Sequence, residues 1–254
     1  MGVGNTGRFK ILFGKSQIIS YICIMKVALL LSGLPRKVEE GYERTWKHII
    51  ENYDTDVYLH AWKDEEWENV SKFYPNAKSF ILQEPFKFTK YKKGIKLPHN
   101  DTSRPIPQYD VMSCFRQLPM FYSWQIGYRP LYDSMIEYDM VIRSRYDLGI
   151  NHSLKLEQLN IEFINHGDVP GGFFDDNFCI TNKTNSDKIF KNIFNDVIKF
   201  ARKSGVLNSA ESSWTSMLEN YGVKDIAQKN HTLNFDLLRD NRVWWGDKDG
   251  NIIE

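Results

Sequence analysis

One short apolar run, Lys26–Ser32 (KVALLLS), closes at Gly33 and limits the possible folds of this chain more than any other feature. An apolar run of this length without polar alternation is typical of a strand that is buried on both faces of a parallel sheet. A turn and an amphipathic pattern follow, and then a second apolar run, Asp56–Trp62. Strand, turn, helix and strand in this order form a βαβ unit, which predicts a parallel sheet.

The segment between the two strands has apolar residues at helical spacing, which predicts a helix with one apolar face. These residues are Tyr42, Trp46, Ile49, Ile50 and Tyr53. Further helices are predicted over Val111–Gly127 (interrupted by Pro119), from Pro130, and over Ser186–Lys203 and Asn208–Tyr221, and further strands over Asp139–Arg145 and Phe178–Thr181. Strands that alternate with helices predict an α/β fold, with a mainly parallel central sheet and helices on both faces.

The size and composition of the chain indicate one ordinary globular domain. With 254 residues, of which 42% are hydrophobic and 26% charged, it can bury a core without disulfides or metals. We expect a single domain over residues 25–254 and an N-terminal extension over residues 1–24. A membrane anchor is the alternative for the extension, although neither of its apolar pieces approaches the ~20 residues that span a bilayer. No firm membrane anchor is therefore expected.

Charge and cysteine content exclude several classes of protein. A net charge of +1 argues against a dedicated nucleic-acid-binding protein, which would carry a strongly basic face. Three widely spaced cysteines without a C-x-x-C pair argue against a structural zinc site or a disulfide framework. This usage fits a reducing compartment and predicts a cytoplasmic protein. The 14% aromatic content suits a core, and equally the stacking of sugars or nucleobases.

Residues 83–109 form a region rich in lysine and proline, in which no helical or strand period is visible. Loops of this length in compact domains are usually functional or disordered. We therefore expect a long basic loop here. It is either a solvated loop or a loop that covers the substrate and meets an anionic acceptor.

Charged residues cluster at the end of the strand Asp139–Arg145. Alternate residues of a strand share a face, so Arg143, Arg145 and Asp147 are expected to point the same way. Two arginines on one face of a core strand need anionic partners, either acids of this chain or a bound phosphate. Asp147 comes directly after the strand, where ligands bind in open α/β sheets, and it can reach a cation there.

The turn after the first strand is a candidate nucleotide-binding segment. Its residues are Ser32, Gly33, Leu34, Pro35 and Arg36. A glycine allows close approach of a ligand to the backbone, and an arginine can bind a phosphate. Many strand-to-helix turns contain glycine and proline without binding any ligand, and this alternative stays open.

Acidic residues in the second half of the chain are candidates for acid–base chemistry or metal binding. Asp175 and Asp176 follow the pair Gly171–Gly172, and could orient an acceptor hydroxyl, help to hold a metal, or form an Asx turn. Glu211 lies three residues after Asn208 and could be catalytic or complete a capping box. His231 is either a metal ligand or a structural histidine.

Three segments together resemble a known family. Met25–Arg36 (MKVALLLSGLPR), Asp56–Trp62 (DVYLHAW) and Tyr138–Leu148 (YDMVIRSRYDL) resemble small glycosyltransferase-like proteins of bacteria and of large DNA viruses or phages. Those proteins look like nucleotide-diphospho-sugar transferases of the GT-A fold. Asp175–Ile180 (DDNFCI) and the helix with Glu211 occur in the matching order, so that the resemblance covers roughly residues 25–240.

The resemblance implies a role for each matching position. The turn Ser32–Arg36 would contact the donor, a nucleotide-diphospho-sugar, and Arg143 or Arg145 would add positive charge. Asp147 would stand in the Asp-x-Asp motif and bind Mn²⁺ or Mg²⁺, which would stabilise the leaving diphosphate. The first acid of that motif is replaced by Arg145, and metal dependence stays open for this reason.

On the acceptor side, the resemblance implies that Asp176 or Glu211 is the acid that faces a hydroxyl of a glycan or another acceptor. It is a candidate general base if the reaction inverts the anomeric configuration, and whether the reaction inverts or retains stays open. Two other functions remain as alternatives. The first is a non-catalytic sugar-binding or virion-associated module. The second is a sulfotransferase, which Gly33–Arg36 faintly resembles, although Lys37-Val38-Glu39 follows where such enzymes continue with Ser-Gly-Thr. The oligomeric state is not predicted by any pattern in the sequence.

Overall fold

A computed structural model of the chain describes residues 9–10, 22–23, 25–64, 66–91, 93, 95, 109–167, 174–204, 210–230, 233 and 235–238. The strands are β1 (Phe9–Lys10), β2 (Ile22–Cys23), β3 (Lys26–Gly33), β4 (Asp54–Trp62), β5 (Ser79–Gln83), β6 (Met140–Ser144), β7 (Leu148–Ile150), β8 (Ile164–His166), β9 (Cys179–Thr181), β10 (Ala227–Lys229) and β11 (Phe235–Leu237). The α-helices are α1 (Val38–Thr45), α2 (Trp67–Phe73), α3 (Tyr109–Asp133), α4 (Lys183–Phe190), α5 (Ile193–Ser204) and α6 (Ala210–Asn220).

The central sheet has seven strands in the order β10-β8-β9-β6-β3-β4-β5. The pairs β3–β4, β3–β6, β4–β5 and β8–β10 are parallel, and β9 is antiparallel to both of its neighbours. The predicted α/β class with a mainly parallel sheet is therefore confirmed. Small antiparallel pairs, β1–β2 and β7–β11, lie outside this sheet.

Helices cover both faces of the sheet, as predicted. Alternate residues of β3 enter different cores: Ala28 and Leu30 pack with α3–α6, whereas Val27, Leu29 and Leu31 pack with α1 and α2. Each of these five residues is fully buried. A strand that is buried on both faces can be apolar throughout, which explains the continuous run in the sequence.

The predicted boundaries of several helices are wrong. The expected apolar face of the first helix is confirmed at Ile49, which is fully buried, and at Tyr42, Ile50 and Tyr53, which pack against the core. Trp46 is 45% exposed, and a π-helical turn over Trp46–Ile50 begins at this residue. The helices predicted around Pro119 and Pro130 are one continuous helix, α3, which contains both prolines.

The single helix predicted over Ser186–Lys203 is also wrong, because it is two helices, α4 and α5. The residue that caps the first of them is Asn182 instead of Ser186: the Asn182 side chain accepts a hydrogen bond from the Asn185 amide at 2.8 Å. Ser186 lies inside α4 and is buried.

The antiparallel strand β9 positions the acidic loop. Arg143 of β6 is paired with Cys179 of β9, so that the residues before Cys179 lie beside the residues that follow β6. The loop with Asp175 and Asp176 is thereby brought to the edge of the sheet where β3, β4 and β6 end. Among the described residues, none of the helices is both long and apolar enough to cross a bilayer.

Candidate functional site

The candidate site lies at this sheet edge, where the loop 174–178 meets the residues that follow β6. Two contacts fix the junction: Arg145 Nη1 donates to Asn177 Oδ1 at 3.0 Å, and Arg143 Nη1 donates to the Asp176 carbonyl oxygen. No pattern in the sequence predicts a role for Asn177. The position of Asn177 beside Arg145 follows only from the antiparallel pairing of β9 with β6, which the sequence does not reveal.

Arg145 and Asp147 form a bidentate ion pair. Arg145 Nε and Nη2 donate to Asp147 Oδ1 and Oδ2, each at 2.7 Å. The Asp147 side chain is 1% exposed and that of Arg145 is 23% exposed. Burial is the largest single influence and acts to lower the pKa of Arg145. The charge and hydrogen bonds of Asp147 and the charges of Asp176 and Asp175 together outweigh burial, and the pKa lies above its usual value. The predicted need of this arginine for an anionic partner is met by an acid of the chain itself.

This geometry does not fit Asp147 as a metal ligand. Both of its carboxylate oxygens accept charge-assisted hydrogen bonds from the guanidinium, so a cation at this carboxylate would lie against the positive charge of Arg145. His231, the other predicted metal ligand, lies outside the described residues. Within the part of the chain that the structure describes, no three His, Cys, Asp or Glu residues are grouped as a metal site requires. We therefore derive no step through Mn²⁺ or Mg²⁺.

Arg143 is buried behind the site. It is 2% exposed, and its guanidinium carbon lies 3.8 Å from the ring centroid of Trp124 on α3. Burial lowers the pKa of Arg143 to about 9, and the charges of Asp176 and Asp175 oppose this effect. A side chain in this position can support Asp176 electrostatically, but it is not exposed to a ligand in solution.

Asp175 holds the loop in shape. Its Oδ1 accepts hydrogen bonds from the Asn177 backbone amide at 3.0 Å and from the Asn177 side chain at 2.7 Å, which is an Asx turn. The Asp175 carbonyl oxygen lies 3.2 Å from His166 Nδ1 on β8. Asp175 is fully buried. These contacts form the Asx turn that was the structural alternative for Asp175. Its catalytic role stays a prediction.

Asp176 differs from Asp175 in its contacts. It is 7% exposed, and no described residue donates a hydrogen bond to its carboxylate. Burial and the nearby charge of Glu211 raise the pKa of Asp176 to about 6 from its ordinary value of 3.8, while Arg143 and Arg145 lower it. The result is a carboxylate that can exchange a proton near neutral pH.

Glu211 lies in the first turn of α6, near enough to Asp176 for its charge to act on that carboxylate. The Glu211 carbonyl oxygen accepts from Thr215 Oγ1 at 2.9 Å, and the same hydroxyl oxygen accepts from the Phe174 amide at 3.2 Å. Thr215 therefore ties the start of α6 to the acidic loop. Asn208, the other half of the predicted capping box, lies outside the described residues, as do the glycines Gly171 and Gly172.

The turn after β3 lies at the same sheet edge and is only partly accessible. Gly33 has a φ of +122°, a value that favours glycine, and Leu34 is 42% exposed. Arg36 is exposed and forms no ion pair with any described residue. Ser32 and Pro35, by contrast, are buried, so that only Gly33, Leu34 and Arg36 of the predicted donor-binding turn can meet a ligand with their side chains or exposed backbone.

Compared with known proteins, the sequence matches no family model and no curated protein. A solved structure similar to this chain is the apo form of the glycosyltransferase GlyE of Streptococcus pneumoniae TIGR4, with 14% identity, a TM-score of 0.43 and coverage of 82% of this chain. The chain spans only 45% of the length of that protein.

A second similar protein is LgtC. An active-site mutant of LgtC is 11% identical, with a TM-score of 0.44, over 81% of this chain and 72% of that one. The galactosyltransferase LgtC in complex with donor and acceptor sugar analogs is also 11% identical, with a TM-score of 0.42, over 81% and 73%. These neighbours are glycosyltransferases of the GT-A type that the sequence resembles. Similarity at this level does not bear on the donor or the acceptor of this chain.

Proposed function

We propose that the protein is a glycosyltransferase that moves a sugar from a nucleotide-diphospho-sugar to a hydroxyl group of a glycan. The observation that carries the proposal is the position of Asp176. A nearly buried carboxylate with a pKa near 6 lies at the carboxyl edge of a mainly parallel sheet, beside Glu211 and two arginines. Ligands of open α/β sheets bind at this edge, and a base for group transfer needs a pKa close to the working pH.

In the proposed reaction, the acceptor hydroxyl oxygen attacks the anomeric carbon of the donor sugar. The bond between that carbon and the diphosphate oxygen breaks, and the nucleoside diphosphate leaves with the bonding electrons. The hydroxyl proton passes to a carboxylate oxygen of Asp176. A base in this role belongs to a single displacement, which inverts the anomeric configuration.

Cationic side chains support the proposed donor position. The exposed guanidinium of Arg36 follows β3, and the positive φ of Gly33 leaves the backbone without a Cβ at the turn. Arg145 follows the neighbouring strand β6, with part of its side chain exposed. The Arg36 guanidinium is free to bind the diphosphate, since arginine suits phosphate oxygens, and Arg145 can add only the N–H groups that Asp147 and Asn177 leave free.

The first test is a thermal-shift panel of the full chain against UDP-, GDP- and CMP-sugars, each with Mn²⁺ and with EDTA. A ligand at ~100 times its Kd stabilises a protein by about 2.7 kcal/mol, which is a shift of several degrees for a domain of this size. A shift with one donor class supports the proposal, and its persistence in EDTA supports binding by arginine. A shift with a phosphosulfate donor alone would favour a sulfotransferase.

The second test is transfer by the Asp176→Asn variant. We expect the variant to lose transfer by at least ~100-fold and to retain donor binding, because a positioned base contributes about 10²–10⁴-fold. Asp133→Asn is the matched control, since Asp133 is 62% exposed at the far end of α3. Full transfer by Asp176→Asn would show that Asp176 is not the base. If the protein binds no donor at all, a non-catalytic sugar-binding module is favoured.

A further inference from the structure

A cleft of about 630 Å³ opens between the turn Phe88–Tyr91 and helix α5, away from the acidic loop. Its lining includes Lys90, Tyr91, Asn192, Asn195, Lys199 and Arg202. We call it the basic cleft. It contains three cationic side chains, two amides, one aromatic ring and Ile198, and none of its described lining residues is acidic.

One wall of the basic cleft is a polar stripe on α5. Asn195, Lys199 and Arg202 recur at spacings of four and three residues, which places them on one face of the helix, and Asn192 directly precedes the helix. The opposite face is buried, with Phe194, Val197 and Ala201 in the core. The apolar period of this segment is apparent from the sequence. The polar stripe becomes a candidate binding surface only because the turn Phe88–Tyr91 lies opposite to it.

The other wall is anchored in the core by aromatic contacts. The Phe88 ring lies 6.1 Å from Trp62 and 5.9 Å from Phe194, between ring centroids. The Tyr91 ring meets Phe194 edge to face at 4.9 Å, and Lys90 Nζ lies 4.9 Å from the Tyr91 centroid. These contacts hold the turn in place, so that the cleft is formed before a ligand binds.

The cations of the basic cleft are not fully neutralised by the protein. Lys199 Nζ lies 3.2 Å from Asp196 Oδ1, and Asp196 also accepts from the Tyr221 hydroxyl at 3.1 Å. Lys90 and Arg202 form no ion pair within the described part of the chain. Their charges are available to an anionic ligand.

The cleft lies near the edge of the sheet that carries the candidate site. Trp62, which contacts Phe88, is the last residue of β4, and β4 is separated from β6 by β3 alone. Ser144 at the end of β6 is level with Leu31 of β3 and with Leu59 of β4, so Trp62 lies three residues further along. With about 3.3 Å per residue and about 4.8 Å between strands, the ends of β4 and β6 are separated by about 14 Å. A ligand of several sugar units can extend over such a distance.

We propose that the basic cleft binds the negatively charged groups of an acidic oligosaccharide, which is the acceptor of the proposed transfer. Cations bind carboxylate, phosphate or sulfate groups, the amides of Asn192 and Asn195 bind hydroxyl groups, and the Tyr91 ring offers a surface for a sugar face. This combination suits a charged sugar better than a free anion. Only the acceptor role rests on the proposed glycosyltransferase function.

The test is direct binding without donor, measured by calorimetry at low salt on the full chain. The probes are a short oligogalacturonate, a sulfated oligosaccharide and a neutral maltooligosaccharide of matched length, with single-stranded DNA as the nucleic-acid probe. The test variant is Lys90→Gln/Arg202→Gln. The control is Lys87→Gln/Lys203→Gln, which changes charge equally at exposed neighbouring positions outside the cleft lining.

We expect the wild type and the control to bind at least one acidic oligosaccharide more tightly than the neutral one. Loss of two exposed ion pairs should weaken binding by the test variant about fivefold. Because binding is measured without donor, its outcome does not depend on transfer and is read separately from the catalytic proposal. Equal affinity of the two double variants, no preference for charged sugars, no binding of either acidic probe, or tighter binding of DNA would each overturn the proposal.

Discussion

At the scale of single residues, the pair Arg145–Asp147 distinguishes a structural from a metal-binding role. If Asp147 serves to neutralise Arg145, Asp147→Asn leaves a mostly buried guanidinium without its partner, and the free energy of unfolding should fall by about 2–4 kcal/mol. Arg145→Gln together with Asp147→Asn should cost less than the sum of the single variants, because the double variant leaves no unpaired charge. Urea unfolding of the four proteins measures this coupling. The metal role of Asp147 would be restored by two results together. The two substitutions would have additive effects on the free energy of unfolding, and Asp147→Asn, but not Arg145→Gln, would lose Mn²⁺-dependent donor binding.

A second prediction at the residue scale concerns Glu211. Its charge is the largest cause, after burial, of the raised pKa of Asp176. Glu211→Gln should therefore lower the pKa of Asp176 from about 6 toward its ordinary value. A carbon-13 NMR titration of the aspartate carboxyls reports the change. Glu219→Gln, an exposed position further along α6 that pairs with Lys224, is the control and should leave the titration unchanged. An unchanged Asp176 titration in Glu211→Gln would show that the two carboxylates do not interact.

At the scale of secondary-structure elements, α1 packs onto the turn that carries Arg145 and Asp147 through Gly41. A Cβ at Gly41 would overlap the carbonyl oxygen of Tyr146, a backbone atom that cannot rotate away. Gly41→Ala should therefore destabilise the fold by at least about 2 kcal/mol and weaken donor binding, despite the higher helix propensity of alanine. Gly127→Ala on α3 is the comparison, because its Cβ would come within 3.0 Å only of the Leu30 side chain. Chemical unfolding and donor titration of both variants test this, and equal small effects would argue against the α1 contact.

The elements also show what the sequence can and cannot predict. The strand β3 was predictable because its apolar run is buried on both faces, and β4 was predictable because its second half is buried and mostly apolar. The break between α4 and α5 was not, because the apolar residues on both sides continue nearly in phase. Strands of three residues, such as β9, carry too short a pattern to reveal their direction. The acids Asp175 and Asp176 were found as candidates, but their meeting with Arg145 depends on the antiparallel pairing of β9.

At the scale of the whole molecule, the fold and the proposed reaction make opposite demands on Asp176. Its folded-state pKa of about 6 lies above the ordinary value of 3.8, so the neutral form is favoured by folding. The stability that this preference contributes is complete below pH 3.8 and is lost as the pH rises to about 6. Asp176→Asn cannot ionise. Its free energy of unfolding should therefore exceed that of the wild type increasingly across this range, by up to about 3 kcal/mol.

Transfer requires the ionised form of Asp176 and should rise over the same pH range. We expect an acid limb in kcat/KM near pH 6, which Glu211→Gln moves to lower pH. Urea unfolding at a series of pH values and a pH–rate profile measure the two trends on the same protein. If the difference in stability between wild type and Asp176→Asn is independent of pH, while transfer still has its acid limb near pH 6, the titrating base is another residue.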